Sequence, residues 1–156
     1  MPHAGRPRSC EASERPSPRV WYEPTALMPV VRHHMSRELL TVAAQVSLRA
    51  AVQRMVERGV GATLVLEGER LAGILTERDV LRAFAADVAP DAVVGDWMTA
   101  GPETIAPDDS MQHAAVLMIH GGFRHLPVVA GDEVLGMLSI RDLMTVVLED
   151  SAPRGV

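Results

Sequence analysis

Gly73-Ile74-Leu75-Thr76-Glu77-Arg78-Asp79 reads as a strand that ends on a hydroxyl and turns straight into a helix with a carboxylate in its first turn. The same stretch returns 63 residues later as Gly136-Met137-Leu138-Ser139-Ile140-Arg141-Asp142. At that offset the whole of 35–84 falls on 98–147 without a gap, pairing Met35 with Met98, Thr41 with Thr104, Ser47 with Ser110 and Ala51 with Ala114. Met55 with Met118, Gly59 with Gly122, Val65 with Val128 and Gly68 with Gly131 continue the series. Glycines, caps and a charged pair in one order mark a tandem duplication.

Each copy reads as strand, helix, strand, strand, helix. Thr41-Val42-Ala43 and Thr104-Ile105-Ala106 are short extended runs with a β-branched start. Ser47 caps a helix whose apolar face is Leu48, Ala51, Val52, Met55 and Val56; Ser110 does the same for Met111, Ala114, Ala115, Met118 and Ile119. Gly59 and Gly122 stand where a left-handed C-terminal cap belongs. Strands at 63–66 and 126–129 then turn at Gly68 and Gly131 into returning strands at 71–75 and 134–138, with closing helices over 77–86 and 140–149. A copy of about 50 residues buries too little surface alone. The expected architecture is therefore α+β: tandem βαββα repeats packed on each other about a pseudo-twofold axis.

The organisation follows: a disordered tail over 1–24, a first repeat over 25–86, a connector over 87–97 with Pro90 and Gly95, a second repeat over 98–150, and a C-terminal tail over 151–156. The 156 residues carry a formal charge of −5, and all 15 basic residues are arginine, which excludes lysine nucleophiles and the lysine of a phosphate-binding loop. An acidic body is a poor partner for nucleic acid or anionic lipid. No apolar stretch is long enough to span a bilayer. The single cysteine, Cys10, permits no internal disulfide and no cysteine metal site. A cytoplasmic protein is expected.

The two closing stretches, Asp96-Trp97-Met98-Thr99 at the opening of the second copy, and Gly122 followed by Pro127-Val128-Val129 resemble the CBS domain family. The likeness covers about 30–150, as a CBS pair or Bateman module. It implies a regulatory module that binds AMP, ADP, ATP or S-adenosylmethionine between its repeats, with two modules associating as a homodimer. With about 30 residues before the repeats and few after them, no catalytic domain is expected, and the output is expected to pass to a separate, unidentified protein target.

The candidate ligand-binding residues are Thr76, Arg78, Asp79, Ser139, Arg141 and Asp142, with Arg124, His125, Val42 and Ile105. An ionised aspartate offers acceptors to both ribose hydroxyls, the Thr or Ser hydroxyl completes the network, and the helix N-terminus and arginines favour phosphate. The same Thr/Ser-x-x-Asp spacing also describes a capping box, and one side chain can serve both purposes. Arg124 and His125, before Leu126-Pro127, are the phosphate candidates of the second copy; a solvated turn is the other reading. Gly61-Ala62 leaves the first site without those donors. Val42 and Ile105 are expected to flank adenine.

No metal site is expected. His33-His34 point to opposite faces of a strand, and His113 and His120 lack a partner at ligand spacing. The methionines from Met35 to Met144 fit adaptable core filling, and Trp21-Tyr22 suit an arm over a partner subunit. Catalysis is not expected: serine-elbow, zinc-helix and dinucleotide fingerprints are absent, and Asp108-Asp109 suit a helix N-terminus. The alternative to a sensor is a structural dimerisation module that binds no ligand.

Overall fold

A computed structural model describes residues 29–151; the N-terminal tail, Cys10, Trp21-Tyr22 and the last five residues lie outside them. The first half contains β1 (Thr41–Ala43), α1 (Leu48–Arg58), β2 (Ala62–Glu67), β3 (Arg70–Thr76) and α2 (Glu77–Ala85). After α3 (Val94–Trp97) and β4 (Thr99–Ala100) come α4 (Met111–Gly121), β5 (His125–Ala130), β6 (Glu133–Ser139) and α5 (Ile140–Ser151).

The caps act where their side chains and backbone angles require. Ser47 Oγ accepts from the Ala50 amide at 3.2 Å and Ser110 Oγ from the His113 amide at 3.1 Å, each satisfying an amide that its helix leaves open. Gly59 and Gly122 end their helices at φ of 64° and 66°, a left-handed conformation that a side chain disfavours.

In the first sheet β1 runs parallel to β2, β2 pairs antiparallel with β3, and β4 adds antiparallel to the far edge. The second sheet repeats this plan in reduced form. Its strands β5 and β6 pair antiparallel, Ile105 makes a parallel bridge to Val128, and Ser36 an antiparallel bridge to Met137. Thr104–Ala106 is thus a single bridge where the pattern suggests a strand. The flaw in the hairpin is also duplicated, with the register shifting between Val65 and Leu66 and again between Val128 and Val129.

The two halves exchange their opening segments. The opening residues of the first repeat dock on the second: the Val31 amide donates to Asp109 O, Met111 N to Pro29 O, and Ser36 and Met137 bond each other's backbone in both directions. Residues preceding the second copy dock on the first: Val94 N donates to Val46 O, Gly95 N to Ala44 O and Leu48 N to Ala92 O. The stretch read as connector therefore contains α3 and the fully buried Val94. The closing-strand glycines serve this exchange. A Cβ on Gly73 would lie 2.5 Å from Met98 Sδ and 2.9 Å from Thr99 O; one on Gly136 would lie 2.7 Å from Met35 Sδ and 2.8 Å from Ser36 O.

Each core consequently combines one copy with the opening of the other. Val31 and Met35 pack with Ile105, Met111, Met118, Leu126 and Leu138. Val94, Trp97 and Met98 pack with Val42, Leu48, Met55, Val65 and Leu75. A third cluster, Ala62, Leu64 and Ile74 against Leu71, Val134 and Met137, lies between the sheets and joins the halves. The methionines follow the core-filling expectation except Met144, which is 54% exposed.

Candidate functional site

Where β3 passes into α2, Thr76 and Asp79 form a reciprocal capping box. Asp79 Oδ2 accepts from the Thr76 amide at 2.9 Å and from its hydroxyl at 2.7 Å, while Oδ1 accepts from Arg82 Nη1 at 3.2 Å. Asp79 is buried, so these donors compensate the carboxylate's loss of water. The second copy has the same box: Asp142 Oδ2 accepts from the Ser139 amide at 2.7 Å and hydroxyl at 2.6 Å. The capping reading of both motifs is thus part of the fold, and it leaves acceptor capacity on each carboxylate.

A cavity of about 290 Å³ opens beside the first box. Its wall takes Gly61, Ile74, Thr76, Glu77, Arg78, Asp79 and Arg82 from the first copy, Thr99, Pro102 and Glu103 from the stretch after α3, and 121–125 from the second copy. The cleft is therefore built across the halves. Arg124 and His125, read from sequence as donors of the second site, stand on the cavity wall with Thr76 and Asp79, which the sequence reading had left without them. They keep their place beside the second box as well: His125 pairs with Ser139 across the hairpin, and the Arg124 carbonyl accepts from the Ile140 amide at 2.9 Å.

Arg78 bridges the halves by donating through Nη1 to the Gly122 carbonyl at 3.0 Å. Among the described residues, Arg82 has a carboxylate partner on Asp79, whereas Arg78 and Arg124 have none within salt-bridge distance. His125 titrates below the ordinary histidine value because burial disfavours its charged form and Arg124 repels it; Glu77 and Asp142 pull the other way and Arg141 adds to the repulsion.

Val42 and Ile105 do not line the cavity. Each is 5% exposed or less and sits in the core of its own half, because the period-2 alternation of the first strand turns it inward. The apolar wall comes instead from Ile74, Pro102 and Phe123. Ser139, Arg141 and Asp142 lie off this wall, at the corresponding place in the second copy. Arg82, Glu77, Ile74, Pro102, Glu103 and Phe123 are among the wall residues absent from the candidates read from sequence. Arg82 was findable, three residues beyond Asp79 on one helix face; Phe123 was not, since only the packing of the halves brings it there.

Elsewhere the histidines stay peripheral. His33 and His120 are exposed, and His113 Nδ1 lies 3.7 Å from Asp109. No cluster of His, Cys, Asp or Glu able to hold a metal occurs among the described residues, and no helix there is long and apolar enough to cross a membrane.

Duplicated βαββα halves with exchanged openings and a cleft between them define a class: a pseudo-symmetric repeat pair with a site built by both copies. This chain belongs to the CBS domain family, whose sequence profile matches twice, over residues 31–86 and 94–149. An uncharacterised 17.7 kDa protein of Acidianus ambivalens is 32% identical over 114 residues, 72% of this chain and 69% of that one. Other curated relatives are longer, the aligned part spanning 46% and 33% of two of them. A putative signal-transduction protein with CBS domains from Burkholderia ambifaria superposes with a TM-score of 0.71 at 32% identity, covering 78% of this chain and 89% of that one. The CBS domain protein PAE2072 from Pyrobaculum aerophilum, solved in complex with AMP, superposes with a TM-score of 0.71 at 26% identity over 78% of this chain and 98% of that one.

Proposed function

We propose that this chain is a regulatory nucleotide sensor that binds an adenosine-containing ligand between its repeats and signals to a separate protein partner. AMP, ADP and ATP, with S-adenosylmethionine, are the candidate ligands. One observation carries the reading: a single cavity sets the Thr76–Asp79 acceptor pair of one copy against Arg78, Arg124 and His125. In this assignment Asp79 takes ribose hydroxyls, the cationic groups take phosphate, and adenine lies on Ile74, Pro102 and Phe123. Ser139, Arg141 and Asp142, which lie off this cavity, would form a second site. The AMP bound by the Pyrobaculum relative supports the ligand class. The reading assigns no catalytic role to any residue and places the module in the cytoplasm, whose reducing milieu suits a chain with one cysteine.

Thermal unfolding with millimolar AMP, ADP, ATP and S-adenosylmethionine tests it. Ligand at 100 times its dissociation constant stabilises the folded state by about 2.7 kcal/mol. No stabilisation by any of them overturns the sensor.

A second reading, a structural dimerisation module that binds nothing, has its own support. Phe84 and Leu81 on α2, Ile119 and Val116 on α4, and Val56 on α1 are exposed, Phe84 at 81% and Ile119 at 73%. A contiguous exposed apolar patch marks an association surface, and these side chains are the candidates to form one. The homodimer belongs to both readings, and only the ligand assay separates them.

A further inference from the structure

The two aspartates differ in how many acceptor sites they keep open. A carboxylate offers about four lone-pair positions. On Asp79, Thr76 fills two through Oδ2 and Arg82 a third through Oδ1 at 3.2 Å. On Asp142, Ser139 fills two in the same way, but the residue matching Arg82 is Thr145, whose hydroxyl donates to the Arg141 carbonyl at 3.1 Å. Asp142 thus retains both positions that a ribose diol needs, and Asp79 retains one.

Arg82 is free to change partners. Its side chain is 67% exposed whereas that of Asp79 is 5% exposed, and Arg82 lines the same cavity as Arg78 and Arg124. A phosphate entering that cavity offers guanidinium a second anion with bidentate geometry. We infer that Arg82 is a lock on Asp79 that phosphate opens, making this cleft select phosphorylated adenosines over adenosine itself. This rests on the proposed function and names the ligand class of its main site. An unphosphorylated ligand meets an aspartate already engaged; a phosphorylated one draws Arg82 away and frees the second ribose acceptor.

Isothermal titration of the full chain with adenosine and with ADP, for wild type and Arg82→Ala, tests the lock. Arg82→Ala is expected to tighten adenosine roughly threefold and weaken ADP roughly threefold, so the preference for ADP falls about tenfold. Opposite signs on two ligands are beyond a merely structural effect, and melting curves of both proteins check that the exposed substitution leaves the fold intact. Adenosine affinity that is unchanged or weaker in Arg82→Ala overturns the lock while leaving the nucleotide site standing. Wild type that binds neither ligand overturns the site, and the lock with it.

Discussion

At the scale of single residues, Asp79 combines two demands on one carboxylate. Buried at the N-terminus of α2, it is held by the Thr76 amide and hydroxyl, and those bonds aim what remains of it at the cavity. Asp79→Ala is expected to weaken nucleotide binding by about 1.5–3 kcal/mol, the range for hydrogen bonds to a charged group, and to lower stability by about 1 kcal/mol through the lost cap. Calorimetric titration and chemical denaturation separate the two losses. Arg124→Ala should weaken ADP and leave adenosine unchanged in the same titration. His125 makes a prediction about acid. Its folded pKa is lowered by burial and by Arg124, so the unfolded chain binds its proton more readily. The stability that neutral His125 contributes is present above the unfolded value near 6.5 and is lost as pH falls from there through the folded value. Melting temperatures measured from pH 7.5 to 5 should fall more steeply for wild type than for His125→Gln; parallel curves would show that the imidazole contributes nothing to the acid limb.

At the scale of elements, the glycines separate two kinds of constraint. Gly59 has open space around its missing side chain and only a left-handed backbone to maintain, so Gly59→Ala should cost about 1 kcal/mol. Gly136 has ordinary backbone angles but faces Met35 Sδ and the Ser36 carbonyl inside 3 Å. Because one of those neighbours is backbone held by a two-way hydrogen-bonded bridge, Gly136→Ala should cost more, about 1–3 kcal/mol by overpacking. Urea titrations of the two variants give the order directly. The elements were largely legible in the chain: caps at Ser47 and Ser110, left-handed ends at Gly59 and Gly122, and hairpins at Gly68 and Gly131 all depend on neighbours within a few residues. β4, α3 and the bridge at Ser36 were not legible, because each is fixed by contacts with the other copy.

At the scale of the whole molecule, the exchange of openings ties the halves together and supplies the stretch from which Pro102 and Glu103 reach the cavity. The outer helices carry the unpaired apolar surface. Phe84→Asp combined with Ile119→Asp should convert a dimer to monomer in sedimentation velocity without lowering the melting temperature of the monomer, since both side chains are exposed. A monomeric wild-type chain would remove the case for association through these helices.

The chain by itself determined the duplication, the order of elements and the hydroxyl–carboxylate boxes, because short-range spacing carries all three. Which residues meet in the cleft was decided only by tertiary structure. Arg124 and His125 share a cavity wall with Asp79, and Phe123 with Ile74, through the packing of residues tens of positions apart. Sequence spacing has no term for such contacts; they arise when two half-modules, each too small to bury its own sheet, cover one another.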